Sequence, residues 1–489
     1  MQAQNFVGGT WKSGSGEKIL NYNPATREPV SEANSSSEQD VQEAVVKAGA
    51  AFELWRKKPA PLRGEYLYQI GMLLKERKQR IARLISLEVG KTKVEAEGEV
   101  QEAIDMAFYM AGEGRRMFGH TIPSELPDKW TMSAREPVGI IGAISAFNFP
   151  VAVPSWKILP SLILGNTVVW KPSPETPATA TEFTRCFEDA GLPPGVFNLI
   201  LGDAQPGQFL VEEPRVAHIS FTGSTETGKV VYESAAKQLK RVSLELGGKN
   251  AIIVLKDANL ELAAEGIVWA AFGTSGQRCT AASRVIIEEG IYDQLLQRIL
   301  QITSQLNIGD VRDENVDVGP LINENSIEKV EAYIKRAVEE NIKVHCGGKR
   351  LEGLPGHFFA PTVLGPVDPT SPLAKEEIFG PVLCLIKAQG LDEAIKINNS
   401  VSYGLSTAVF TRNVNHAFTG IKGIDTGIVY VNHGTTGAEI QLPFGGTKDT
   451  GNGMREAGQA ALDAFSEWKT IYIDYSDKLQ RAQIDTDLL

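Results

Sequence analysis

Four short apolar runs rich in β-branched residues, VGIIGAIS (138–145), TVVWKP (167–172), VFNLIL (196–201) and AHISFTG (217–223), alternate with segments of helical composition such as 177–190 and 226–239. Runs this continuously hydrophobic suit strands buried on both faces of a sheet. A β-α-β-α order with buried strands has few folded solutions, and a doubly wound parallel sheet follows. After Gly248 a second alternating series begins: AIIVL, a helical pattern over 259–273, the strand RVIIE, a long helix over 291–306, and further elements to about 430. The chain is therefore expected to be α/β with two layered units. Between Asp40 and Lys78 apolar residues recur every three to four positions, and helices are expected to dominate the first quarter. Two stretches, 120–137 and the tail from about 466 with its KTIYIDY run, belong to neither series. Exposed strands of that composition are sticky, so they read as an interface arm.

With 489 residues the chain is too long for one ordinary core. A net charge of -11 and the lack of a Lys/Arg run interleaved with aromatics exclude nucleic acid as an expected partner. The start, MQAQNFVGGTWKSGSG, does not read as a secretory signal, and the apolar stretch from Val138 to Val153 is too short and too interrupted, by Ser145, Asn148 and Pro150, to cross a membrane. A cytoplasmic protein without membrane contact is expected. Four cysteines at 186, 279, 346 and 384 have neither disulfide density nor metal-ligand spacing, so reduced thiols and no metal are expected.

One of those thiols has unusual neighbours. Cys279 sits in FGTSGQRCTAASR, among glycines and small residues, where backbone amides can favour a thiolate and hold a developing oxyanion. Cys186, Cys346 and Cys384 lack such flanks and read as small buried hydrophobes. In SLELGGKN (243–250) Glu245 ends a β-like run before Gly247 and Gly248, at the strand end where α/β sheets carry their sites. A general base there would activate water against an acyl group on sulfur. FTGSTETG (221–228) gives a strand, Gly223, Ser224, Gly228 and a helix start, an anion site suited to a pyrophosphate, although the full GxGxxG fingerprint is missing. Lys171, at the end of another strand, can hydrogen-bond a ribose hydroxyl.

Taken together, these phrases resemble the aldehyde dehydrogenase superfamily from about Asn5 to Asp474, with LELGGKNA, FGTSGQRCTAAS, FNFP, FTGSTETG, KEEIFGPV and PFGG in the family order. The resemblance implies oxidation of an aldehyde to a carboxylic acid with NAD or NADP. It implies a Rossmann-type cofactor domain (1–119 and 138–247), an α/β catalytic domain (248–447) and a small β oligomerisation arm (120–137 and 466–489) in a homodimer or homotetramer. Cys279 would be the nucleophile, Asn148 of FNFP would join the Cys279 amide in an oxyanion hole, and Glu245 would activate water, helped by Glu467 of FSEWKT. Ser145, Lys171, Gly223, Ser224, Gly228, Gly247, Glu377 and Phe379 would contact the cofactor.

Several positions depart from the commoner pattern. Pro174 stands where many NAD-preferring relatives carry a ribose-binding glutamate, with Glu175 next, which leaves room for a 2′-phosphate. Phe147, the HGTTGAEIQLPFGG loop with Gly437 and Ala438, Arg278 and Glu102 resemble the α-aminoadipic semialdehyde dehydrogenase branch, where the matching residues line the substrate site. An arginine can pair a substrate carboxylate and a glutamate an ammonium. Both an amino-acid semialdehyde and a broad range of aliphatic or aromatic aldehydes fit this reading. A coenzyme A-acylating enzyme and a non-catalytic relative are the alternatives; the presence of Glu245 weighs against the first, and that of Cys279, Glu245 and Asn148 together against the second.

Overall fold

In the computed structural model, which describes residues 1–484, the two alternating series form two seven-stranded sheets. The first is ordered Arg241–Glu245, Val216–Thr222, Ile140–Ile144, Thr167–Lys171, Phe197–Leu199, Asn5–Val7 and Thr10–Lys12. Its first five members pair in parallel. The chain builds outward from Ile140–Ile144 in one direction, then jumps back to lay Val216–Thr222 on its other side. That reversal is a topological switch point, and α/β sheets open a crevice beyond the carboxyl ends of the strands flanking it. The residues that leave those two ends are Ser145 to Asn148 and Gly223 to Ser224.

Strand alternation explains why the runs had to be apolar throughout. Ile140, Ile144 and Val169 pack with Val41, Val45 and Ala48 of the helix Glu38–Trp55, whereas Ile141, Val168 and Trp170 face Ile158 and Leu162 of Ala152–Leu164. Both faces are therefore dry.

The second sheet is ordered Val344–Cys346, Thr362–Leu364, Val382–Ala388, Ala282–Glu288, Asn250–Val254, Ser406–Phe410 and Ile428–Val431, and all but its Val344–Cys346 edge is parallel. A third sheet pairs Ser466–Asp474 with Lys129–Pro137 along their whole length, antiparallel, with Thr121–Pro123 outside. Ile122, Trp130, Trp468, Tyr472 and Ile473 are exposed on it. The part of the expected arm at 485–489 lies outside the described residues.

Two features differ from expectation. The first 34 residues carry four short strands: Asn5–Val7 and Thr10–Lys12 extend the first sheet, and Lys18–Tyr22 pairs with Pro29–Asn34. Strands of three to six residues are too short to display a period of two. Beyond residue 447 the chain returns to the first sheet's core, where Ala457, Ala461, Leu462 and Phe465 pack with Trp156 and Ile158. Among the described residues no helix is long and apolar enough to cross a membrane, and no three His, Cys, Asp or Glu residues group as a metal site.

Candidate active site

Glu245 is the last residue of Arg241–Glu245, at the carboxyl edge of the first sheet, while Cys279 precedes Ala282–Glu288, at the amino edge of the second. Both line one cavity of about 640 Å³, together with Phe149, Leu246, Thr280 and Thr436. A Cβ on Gly248 would lie 2.6 Å from the Cys279 carbonyl oxygen, so the Gly-Gly pair is what lets the two edges approach. Asn250 then clamps the Cys279 loop, its Nδ2 donating to the carbonyls of Cys279 (2.7 Å) and Ala281 (2.9 Å).

The loop itself is strained. Thr274, Ser275 and Gly276, all buried, have φ of 52°, 55° and 72°, a left-handed run that only tertiary contacts can hold. Thr274 N–H donates to Glu95 Oε1 (2.7 Å), Ser275 Oγ to the Gly319 carbonyl (2.7 Å), and Ile322 N–H to Gln277 Oε1 (3.0 Å). Asn148 Nδ2 donates to the Gln277 carbonyl at 2.9 Å, which sets its amide beside this loop with one N–H left over.

Burial raises the Cys279 thiol to about 12, reinforced by the Glu245 and Glu377 carboxylates and opposed by the Thr280 and Cys279 amides. Glu245 is raised well above the carboxylate range, by burial and then by Glu456, against Lys157 and Arg455. Its Oε2 is buried without a hydrogen-bond partner. Glu456 is ion-paired with Lys157, and both are buried. The Lys157 ammonium also reaches Ser220 Oγ at 3.2 Å.

Glu467, expected beside Glu245, is instead on the surface strand Ser466–Asp474 opposite Glu136, its side chain 63% exposed and paired with Arg241 at 3.3 Å. The carboxyl group that accompanies Glu245 is Glu456. It lies in the irregular GNGMREAG stretch, where no periodicity marks a residue as buried, and only the burial of Lys157 within an apolar helix hinted at a missing counter-charge.

Across the switch point stand the residues expected to meet a dinucleotide. Ser224 caps the helix Thr225–Ala236, accepting from Thr227 N–H, so the positive end of that helix faces the crevice. Lys171 is buried, its ammonium forms no hydrogen bond or ion pair with the described residues, and burial lowers it to about 8. Glu377 accepts from Gly248 N–H at 2.9 Å, and a Cβ on Gly247 would lie 2.4 Å from its carboxylate. Phe379, with φ of 59°, meets the Phe147 ring edge to face at 6.1 Å. Three of the expected residues have close protein neighbours of their own. Gly228 is small because Leu246 lies 2.4 Å from where its Cβ would be. Ser145 Oγ is occupied by Trp170 Nε1 at 3.0 Å. Phe147 packs toward Phe379, and Phe149 takes the place expected for it in the cavity wall, under the Lys91 ammonium at 3.4 Å.

Arg278, Glu102, Gly437 and Ala438 do line the cavity. Arg278 Nη2 pairs with Glu95 at 2.8 Å and its Nε donates to Thr274 Oγ1 at 2.9 Å. Lys91 pairs with Glu99 at 2.7 Å. The Glu102 carboxyl group has neither ion pair nor hydrogen bond among the described residues, and burial, then Glu99, raises it to about 8 against Lys91 and Arg278. Glu95, Glu99, Lys91 and Lys157 were not singled out in the sequence.

The aldehyde dehydrogenase family model matches residues 11–471. The chain belongs to the aldehyde dehydrogenase family. It is 41% identical to the α-ketoglutaric semialdehyde dehydrogenase of Bacillus subtilis over 96% of this chain and 97% of that one. It is 39% identical to the α-aminoadipic semialdehyde dehydrogenase of Rattus norvegicus over 98% and 90%. The crystal structure of an NAD-dependent aldehyde dehydrogenase from Sinorhizobium meliloti superposes with a TM-score of 0.96 at 35% identity, covering 98% of this chain and 96% of that one. The protein is thus an NAD(P)-dependent aldehyde dehydrogenase that oxidises aldehydes to acids, and its fold is that of the family.

Proposed function

We propose that this aldehyde dehydrogenase oxidises a semialdehyde, an aldehyde whose far end is charged, with Cys279 as nucleophile and Glu245 as the base that admits water. The observation that carries the reading is that Cys279 and Glu245 open into one cavity whose wall also holds Arg278 and Glu102. Relatives named for α-ketoglutaric and α-aminoadipic semialdehydes support a charged substrate.

In this reading the Cys279 sulfur adds to the aldehyde carbon as the thiol proton passes to the Glu245 carboxylate in the same cavity, and from there to solvent. The carbonyl oxygen that gains charge accepts from the spare Asn148 N–H and the Cys279 amide. Lys171, Ser224, Gly247 and Glu377 hold the dinucleotide; the unpaired, buried Lys171 ammonium and the Gly247 cradle against Glu377 fit such a ligand. A dinucleotide held there would supply the hydride acceptor for this oxidation, and the substrate carbon is left as a thioester on Cys279. Glu245 then takes a proton from water, whose oxygen attacks the thioester carbon; the carbon–sulfur bond breaks and the acid departs. Glu456, fixed by Lys157, positions and tunes Glu245 and does not touch substrate. Burial and Glu456 raise Glu245 above the carboxylate range, which makes its ionised form the stronger proton acceptor this role needs.

Glu175 is bonded to Asn323 Nδ2 at 2.8 Å, and with Pro174 in the preceding position this supports use of both NAD and NADP. Four free thiols support a reducing, cytoplasmic setting. The exposed aromatic arm sheet supports a homodimer or homotetramer. The test is a panel of neutral and charged aldehydes with either cofactor, following the reduced cofactor by absorbance, with and without coenzyme A. Turnover independent of coenzyme A and lost in Cys279→Ala is expected; no turnover with any aldehyde rejects the proposal.

A further inference from the structure

The cavity wall remote from Glu245 contains two cations, Lys91 and Arg278, and three carboxylates, Glu95, Glu99 and Glu102, with Glu265 near the mouth. Each cation is already taken: Lys91 by Glu99 and Arg278 by Glu95. Among the described residues Glu102 and the exposed Glu265 form no ion pair, and of the two it is Glu102 that sits among the paired groups, feeling Glu99, Lys91 and Arg278.

Glu95 is held too firmly to step aside. Its Oε1 accepts from Arg278 Nη2 (2.8 Å), Thr274 N–H (2.7 Å) and Thr274 Oγ1 (3.2 Å). Its Oε2 accepts from Thr92 N–H (3.2 Å) and Thr92 Oγ1 (3.0 Å), completing the capping box of the helix Lys93–Glu113. Releasing Arg278 therefore means breaking a helix cap and loosening the strained loop before Cys279. The guanidinium is likewise committed. Its Nε and Nη2 donate to Thr274 and Glu95, and its carbon lies 5.3 Å from the Trp269 ring. Nε and one Nη2 N–H, the side-on edge of the fork, are thus spent, and an incoming carboxylate is left only the Nη1/Nη2 end. It also meets a cation whose charge Glu95 has cancelled.

We propose that Glu95 is the residue that sets which charged aldehyde the cavity accepts: by neutralising Arg278 it leaves Glu102 as the free charge in that wall, favouring an ammonium-bearing aldehyde over one charged only by a carboxylate. Glu95 acts through Arg278 and is a positioning residue. The inference rests on the semialdehyde reading above and sharpens it.

The test uses three aldehydes of equal length, ending in an ammonium, a methyl and a carboxylate, assayed with the full enzyme at about pH 9, where Glu102 is ionised and an alkylammonium still protonated. Wild type is expected to prefer the ammonium over the carboxylate by about tenfold or more in kcat/KM. Glu95→Gln keeps the shape of the side chain but uncovers the guanidinium charge. The ratio should fall about tenfold or more, through a lower KM for the carboxylated aldehyde. Arg278→Gln leaves Glu95 bare and should move the ratio the other way. A general loosening of the loop lowers kcat for all three aldehydes and cannot produce opposite shifts. A wild-type preference for the carboxylate, or a ratio that neither variant moves, overturns the proposal. If Glu95→Gln fails to fold, the wild-type order and the Arg278→Gln shift still decide. Absence of turnover with all three aldehydes strikes at the semialdehyde reading instead, whereas turnover with flat ratios strikes only at Glu95.

Discussion

Alkylation of Cys279 by iodoacetamide reports how the site holds its thiol before substrate arrives. Burial, Glu245 and Glu377 raise the group to about 12 from an ordinary value near 9. At about pH 8 that shift lowers the thiolate fraction roughly a thousandfold, because each unit is a factor of ten. A thiolate of higher affinity for protons is also the better nucleophile, and a Brønsted coefficient of about 0.4–0.5 returns roughly 15- to 30-fold over three units. The net expectation is a rate about 30- to 60-fold below that of an unperturbed exposed thiol at the same pH. The logarithm of the rate should climb with a slope near one from about pH 6 to about pH 10, with no plateau, since the group stays protonated throughout. The assay is the second-order rate at each pH with modification at Cys279 verified by mass spectrometry; Cys186 and Cys384 are buried and should react more slowly. A plateau below about pH 9, or a rate at about pH 8 above that of the free thiol, would mean that the resting site already stabilises the thiolate, and the reasoning fails.

Glu245→Gln should still form the thioester but not hydrolyse it, giving one stoichiometric burst of reduced cofactor followed by turnover lowered about 10²- to 10⁴-fold; a variant that loses the burst in proportion refutes the base assignment. Gly247→Ala sets a Cβ against the Glu377 carboxylate, displacing its bond from Gly248 N–H. Dinucleotide affinity by fluorescence titration should weaken about tenfold to a hundredfold, and an unchanged Kd removes Glu377 from the cofactor site. Lys157→Met leaves Glu456 buried without its counter-ion, and denaturant unfolding should show a loss of about 3–5 kcal/mol; a change under about 1 kcal/mol means the pair is not desolvated as the structure has it. Truncation before Ser466 removes the long strand of the arm sheet and should leave a monomer on sizing, an unchanged oligomer being the contrary result.

The parallel architecture was legible because strands buried on both faces need continuous apolar runs, and the four runs from Val138 to Gly223 became four adjacent strands. Cys279 and Glu245 stood out for a related reason: glycines around one thiol and one carboxyl group mark close chain approach, and such approaches are written locally. Gly247 was marked in the same way, by its neighbours in LELGGKN.

Charge partnerships were not legible, because they depend on which distant segments a fold brings together. Glu456 meets Lys157 across 299 positions, and Glu95 meets Arg278 across 183. Nothing in GNGMREAG distinguishes Glu456 from Glu467 eleven positions on, and only the return of 457–465 to the first sheet's core buries one while strand pairing exposes the other. Arg278 and Glu102 could be named from sequence as cavity residues, but not their states: the first is paired, the second unpaired. The sequence alone thus determined the layers and singled out Cys279 and Glu245 as candidates, through patterns that span a few residues. The tertiary structure alone decided which charges inside the cavity are cancelled and which are free, since Coulomb energy in a dry site depends on separation in space and not along the chain.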